Sequence, residues 1–241
     1  MMKDNKFARV VLLANSQGTS AGINWKDAYP AVLAELLKYD IELHRLLMSG
    51  WTIRDFLDVI EDNVIGLRPD LVVIQIGIVE CARRILTERH KALFRLIPFG
   101  YKVTKYLHYH RAVVLKIRNW LGINTRLIDP LEFEILISRT VKLLEENCVP
   151  YIFVPIPFIT DNGLNLKHPM INKDIKEYNK ILHNYVSIPI DTELMQPHTT
   201  MFQNESVHFT VDGHKFFASF LAKAIVSKLK GHNLDLLSIL E

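Results

Sequence analysis

Short apolar runs bounded by polar turns alternate along this chain with longer stretches whose apolar residues recur at helical spacing, and that alternation leaves few folds open. Residues 8–14, Ala-Arg-Val-Val-Leu-Leu-Ala, form the first run, of the kind that a strand buried on both faces requires. Asp27 to Lys38 then sets Val32, Leu33, Leu36 and Leu37 on one helical stripe, and Ile41 to Leu47 reads as a second strand. The helical period returns over Thr52 to Glu61 with Ile53, Phe56, Leu57 and Ile60, followed by a third strand from Leu71 to Ile76. Pro130 to Glu146 is an amphipathic helix with Ile135, Leu136, Leu143 and Leu144 as core positions. Tyr151 to Pro155 is a fourth strand, Ile171 to Tyr185 a helix, Ile188 to Ile190 a short fifth strand, and Asp212 to about Lys228 a last helix. Strict alternation of this kind predicts a parallel sheet with helices on both faces, joined by right-handed crossovers.

The 241 residues, 49% of them hydrophobic and 23% charged, suffice for one domain with a sizeable core and exclude a disordered chain. No apolar run approaches the roughly 18 residues of a membrane-spanning helix. Met1 to Arg9 is polar and leads straight into a strand, so a cytoplasmic location is expected. Cys81 and Cys148 form no metal-type spacing and are expected to be buried thiols. The pair His108 and His110, and the run of His208, Asp212 and His214, also lack a ligand spacing, so no metal is expected. No glycine-rich phosphate loop follows the first strand, and no cofactor is expected.

Charge is unevenly placed. Residues 81–126 carry eleven Lys or Arg against Glu88 alone, a balance of +10 against −7 for the rest of the chain. Phe94, Ile97, Phe99, Tyr101, Tyr106, Tyr109 and Trp120 interleave with these bases. The segment reads as a helical insertion at about 81–128 in a single domain spanning 1–241. It suits either peripheral contact with an anionic membrane or polyanion, or an ordinary solvated surface. No recognised nucleic-acid module accompanies it, and no nucleic acid is expected.

In an open parallel sheet, ligands bind outside the carboxyl ends of the strands. The segments there read Ala14-Asn15-Ser16-Gln17-Gly18, Met48-Ser49-Gly50-Trp51, Gly77-Ile78-Val79-Glu80 and, further on, Glu205-Ser206-Val207-His208. A serine hydroxyl needs a base within reach, and the base needs a group that fixes its tautomer. Ser16, His208 and Glu205 supply these three parts, with the backbone N–H groups of Ser16 and Gly50 available to a developing oxyanion.

These blocks resemble those of the SGNH (GDSL-like) hydrolase superfamily: Gly-Asp-Ser after the first strand, Gly after the second, Gly-x-Asn-Asp after the third, and Asp-x-x-His near the C-terminus. Here they read Ala14-Asn15-Ser16, Gly50, Gly77-Ile78-Val79-Glu80 and Glu205-Ser206-Val207-His208. The resemblance implies a three-layer α/β/α sandwich, flavodoxin-like in type, around a five-stranded parallel sheet. It also implies Ser16 as nucleophile, His208 as general base and Glu205 as its partner, in a serine esterase or acyl-transfer enzyme acting on an O-acylated sugar or related small ester. Val79 stands where the family has the asparagine that donates to the oxyanion. Asn15, Gln17 and Arg84 are the candidates to replace it, and Arg83 and Arg84 are also placed to hold an anionic substrate group. The alternative reading is a catalytically weakened domain of this type that binds a glycan, an anionic lipid carrier or a protein through residues 81–126.

Overall fold

The structure, a computed structural model, describes residues 7–38, 41–86, 88–123, 125–159, 164–188, 201–204 and 206–230. In chain order the elements are β1 (Ala8–Ala14), α1 (Tyr29–Leu37), β2 (Ile41–Leu47), α2 (Ile53–Leu57), α3 (Ile60–Asn63), β3 (Leu71–Gln75) and α4 (Ile78–Cys81). The insertion follows as α5 (Glu88–Leu96), α6 (Gly100–Tyr109) and α7 (Arg111–Trp120). Then come α8 (Pro130–Glu146), β4 (Tyr151–Phe153), α9 (Leu164–Lys167), α10 (Ile171–His183) and α11 (Val211–Lys230).

The four strands pair in the order β2-β1-β3-β4, all parallel, with Val10 opposite Leu71 and Val72 opposite Tyr151. Val10 to Ala14 of β1 are all wholly buried, so the central strand is covered on both faces, as its unbroken apolar run requires. From β1 the chain crosses to β2 on one side, whereas from β3 it crosses to β4 on the other. Right-handed crossovers in opposite directions put α1 and α8 on opposite faces. Accordingly α1 packs on α11, while α8 packs on α2 and α10. The point where the winding reverses lies between β1 and β3, and a crevice opens there beyond their carboxyl ends.

Several expectations are corrected. Among the described residues the sheet has four strands, not five. Val186–Ile188 runs beside β4 through two hydrogen bonds, Phe153 N–H to Val186 O and Ile188 N–H to Phe153 O, both 2.9 Å, and makes a single parallel bridge at Ser187. The remaining residues of the expected fifth strand, 189–190, lie outside the described residues. The helix expected over 52–61 is broken at Val59, whose φ of −119° leaves the helical region. Ile135 is exposed because the buried stripe of α8 follows Phe133, Leu136, Ile137, Thr140, Val141 and Leu144, and Leu36 likewise falls off the Leu33–Leu37 stripe. Cys81 is buried but Cys148 is exposed. Cys148 adopts φ +54° just past α8, where its N–H donates to Glu145 O and that of Val149 to Leu144 O, closing the helix.

The basic segment is helical, as read, but much of its charge is turned inward. Arg83 donates through Nε and Nη2 to the fully buried Asp174 of α10, at 2.6 and 2.9 Å. Arg126, at the other root of the insertion, reaches the same carboxylate at 2.5 Å and Glu177 at 2.5 Å. Both ends of the arm are thus fastened to one buried acid. Arg83 is thereby occupied and is not among the residues facing the crevice.

Candidate active site

The crevice beyond β1 and β3 holds a cavity of about 350 Å³ whose walls include Ser16, Gly50, Val79, Arg84 and His208. Ser16 sits in a tight turn built by Asn15, whose Oδ1 accepts the Gln17 N–H at 3.3 Å while its carbonyl accepts the Gly18 N–H at 2.9 Å. Asn15 is wholly buried beneath that turn and does not line the cavity, although its Nδ2 has no hydrogen-bond partner.

Gln17 is also turned away. It stands in a buried amide relay in which Tyr29 OH donates to Gln75 Oε1 at 2.9 Å and Gln75 Nε2 to Gln17 Oε1 at 2.6 Å. Gln17 Nε2 completes the relay by donating to Val207 O at 2.9 Å. A carboxamide committed in this way joins the serine turn to the residue before His208 and leaves Gln17 no free role at an oxyanion.

His208 lies on a turned-back segment in which Phe202 pairs antiparallel with Phe209 and the Gln203 N–H donates to His208 O at 2.9 Å. Its own N–H donates to Ser206 Oγ at 3.0 Å. Burial holds the imidazole below its ordinary protonation range, opposed by a hydrogen bond with the Ser16 backbone. The two ends of the chain therefore meet as expected at Ser16 and His208. His208 Nδ1 is buried with no hydrogen-bond partner, which is the atom an orienting carboxylate would occupy. Glu205, the expected partner, lies outside the described residues.

His214 has a different task. Its Nδ1 accepts the Tyr29 N–H at 3.0 Å, its ring stacks on Tyr29, and burial pushes it down to about 4. It is a neutral structural group at the start of α11.

Gly50 adopts φ +80°, a backbone conformation that favours glycine, and its face toward the cavity is open. Glu80 was read only as the end of a block, yet it aligns two of them. Its fully buried carboxyl accepts the Ile53 N–H at 2.8 Å and the Gly77 N–H at 2.9 Å, tying the start of α2 to the end of β3. Burial pushes it up to about 7. The sequence signal was the three-residue spacing from Gly77, a helix-capping interval.

Two titratable cavity residues are not among the sequence-derived site candidates: Arg111, from the first turn of α7, and His168, after α9. Among the described residues, no acidic side chain lines the cavity. Val79 leaves an apolar wall where a side-chain donor would stand, and the guanidinium of Arg84 is on the same wall system.

No protein-family model matches the chain, and no curated protein matches it in sequence. Solved structures do match. The lipase/acylhydrolase from Enterococcus faecalis superposes with TM-score 0.61 at 16% identity, covering 92% of this chain and 97% of that one. Axe2, an acetylxylan esterase from Geobacillus stearothermophilus, gives 0.56 at 17% identity over 92% and 96%. A lipolytic protein of the G-D-S-L family from Desulfitobacterium hafniense gives 0.56 at 15% over 90% and 98%. The chain has the fold of the SGNH (GDSL-like) hydrolases.

Proposed function

We propose that the protein is a serine esterase or acyl-transfer enzyme that works through an acyl-Ser16 intermediate. The observation that carries this reading is the shared cavity of Ser16 and His208 at the reversal point of the sheet. Ser16 Oγ attacks the ester carbonyl as its proton passes to His208, and the tetrahedral oxyanion takes hydrogen bonds from the Ser16 and Gly50 N–H groups. Collapse expels the alcohol, which leaves with the proton from His208. Water or an acceptor hydroxyl then repeats the sequence in reverse on the acyl-serine. Glu205 is assigned to His208 Nδ1, and with Val79 in the third block the oxyanion relies on the backbone donors of Ser16 and Gly50. An O-acetyl sugar or related small ester is the assigned substrate class, supported by the acetylxylan esterase among the similar structures.

A fluorophosphonate probe is expected to label the wild type at Ser16 and to leave Ser16→Ala unlabelled. An unlabelled wild type that hydrolyses no ester would favour the second reading, a weakened binding domain, to which Val79 lends weight.

The pH profile follows from the state of His208. A general base must be neutral, and burial holds this imidazole below 6.5. Activity is therefore present above its pKa and lost as pH falls through it, so the acid limb of kcat/KM for p-nitrophenyl acetate is expected to have its midpoint below pH 6.5. A midpoint above 6.5 would show a carboxylate charge on Nδ1 outweighing burial.

A further inference from the structure

The cavity that holds Ser16 and His208 is also lined by two guanidinium groups with no counter-charge among the described residues. Arg84 and Arg111 both line the cavity, and neither makes an ion pair among the described residues. The Nε atoms of both are buried without a hydrogen-bond partner. Arg111 is held in place by donating from Nη2 to the carbonyl of Arg83 at 3.0 Å, and Arg84 by donating its N–H to Thr125 O at 2.7 Å. Both are thereby anchored through the roots of the insertion.

We infer that Arg84 and Arg111 form an anion subsite, and that the ester substrate carries a phosphate group seated there. The substrate part of this assignment rests on the esterase reading; the binding part does not. Two like charges brought together in a half-buried cavity repel and are poorly solvated, and an anion between them removes both penalties. The strain is visible in the groups themselves. Burial and the neighbouring Arg84 charge pull Arg111 down to about 10, and burial with both arginines pulls His168 down to about 3. With His168 neutral, the wall presents two positive charges, which match a phosphate dianion better than a carboxylate. Planar guanidinium forks suit its oxygens.

Calorimetric titration of the full chain with inorganic phosphate, glucose 1-phosphate, a short-chain lysophosphatidate and acetate tests the subsite. Phosphate compounds are expected to bind the wild type and Ser16→Ala alike. They should bind Arg84→Gln and Arg111→Gln about 10- to 100-fold more weakly, the size of one lost charge-assisted contact. Glucose 1-phosphate and the lysophosphatidate separate a soluble sugar phosphate from a lipid headgroup. Thermal stabilisation of the wild type by phosphate, and not by chloride at equal ionic strength, gives a readout that needs no variant. Equal affinity in wild type and variants, absence of both heat and stabilisation, or acetate binding as tight as phosphate overturns the assignment. A wild type inert to esters that still binds phosphate through these arginines would sink the esterase reading and leave the subsite standing.

A different set of residues, on the outside of the insertion, carries a second assignment. Along α7 the apolar side chains Val113, Ile117 and Trp120 fall on one exposed stripe at helical spacing, and Leu121 extends it. On α6, Tyr106 and Tyr109 share a face with Lys102 and Lys105, and Tyr109 and Trp120 are 84% and 82% exposed. We infer that this face docks on an anionic membrane surface. Exposed Tyr and Trp prefer the boundary between headgroup and acyl chain, and long basic side chains reach from it to anionic headgroups. Arg95, Lys102, Lys105 and Lys116 are exposed and make no ion pair with an acid among the described residues. A second copy of the chain would set these like charges against one another, whereas an anionic bilayer complements them.

Sedimentation with phosphatidylcholine vesicles, with and without phosphatidylglycerol, checks this. Binding is expected only to the anionic vesicles, weakening at high salt, and falling about tenfold or more when Lys102, Lys105 and Lys116 are all replaced by Glu. Trp120 emission should shift to the blue on binding. Equal binding to both vesicle types, no binding to either, or a salt-insensitive dimer that buries Trp120 would overturn it.

Discussion

Replacing Ser16 with alanine is expected to lower kcat/KM for p-nitrophenyl acetate by a factor on the order of 10⁴–10⁶, the range seen when a hydrolase loses a nucleophile that acts as one unit with its base. The fold should not notice. The turn around Ser16 is held by backbone and neighbouring groups: the Asn15 cap, the Gly18 N–H on Asn15 O, and Thr19 donating from N–H and Oγ1 to the Ser16 carbonyl at 3.2 and 2.7 Å. None of these uses the Ser16 hydroxyl. Thermal unfolding of the variant should therefore match the wild type, which separates lost chemistry from lost structure. Turnover equal to the wild type would remove Ser16 as nucleophile and return the site to a binding role.

Asp174→Ala should be the most damaging single change outside the sheet, with a loss of about 3–5 kcal/mol of stability measured by urea unfolding. The carboxylate has no exposure, and it serves Arg83 and Arg126, whose side chains are only 10% and 11% exposed. Removing it takes the shared acid from two nearly buried guanidiniums, although Glu177 stays on Arg126 and Asn119 on Arg83. The damage should also reach the cavity, because the Arg83 carbonyl is what holds Arg111. A variant that unfolds at the wild-type urea concentration would show that the arm is held by its apolar contacts, such as buried Leu115, and not by this acid.

What sequence reading recovered and what it missed have physical causes. β1 and β3 were plain because strands buried on both faces carry unbroken apolar runs, and Val10–Ala14 and Leu71–Ile74 are such runs. Once their order in the sheet is right, Ser16 and His208 follow, since loops at one sheet edge converge whatever their separation in sequence. Side-chain commitments were not legible. Gln17 was a candidate donor until its amide proved to lie in the Tyr29–Gln75–Val207 relay, and Arg83 a candidate anion holder until Asp174 proved to face it. Both depend on partners 58 to 190 positions away. Arg111 was hidden for the opposite reason: inside a strongly basic stretch, one more arginine has no signature. The fifth strand is seen only as the single parallel bridge of Ser187 beside β4, since residues 189–190 lie outside the described residues.

The division of labour between sheet and insertion has a consequence for how proteins of this build diversify. The loops of the sheet supply Ser16 and His208, while Arg84 and Arg111 of the cavity wall come from a helical arm clipped at both roots to a single acid. Chemical competence and ligand preference are thus written in separate stretches of polypeptide. Exchanging the arm alters what is welcomed without rewriting what is done to it, so two close cousins with different arms need share no substrate.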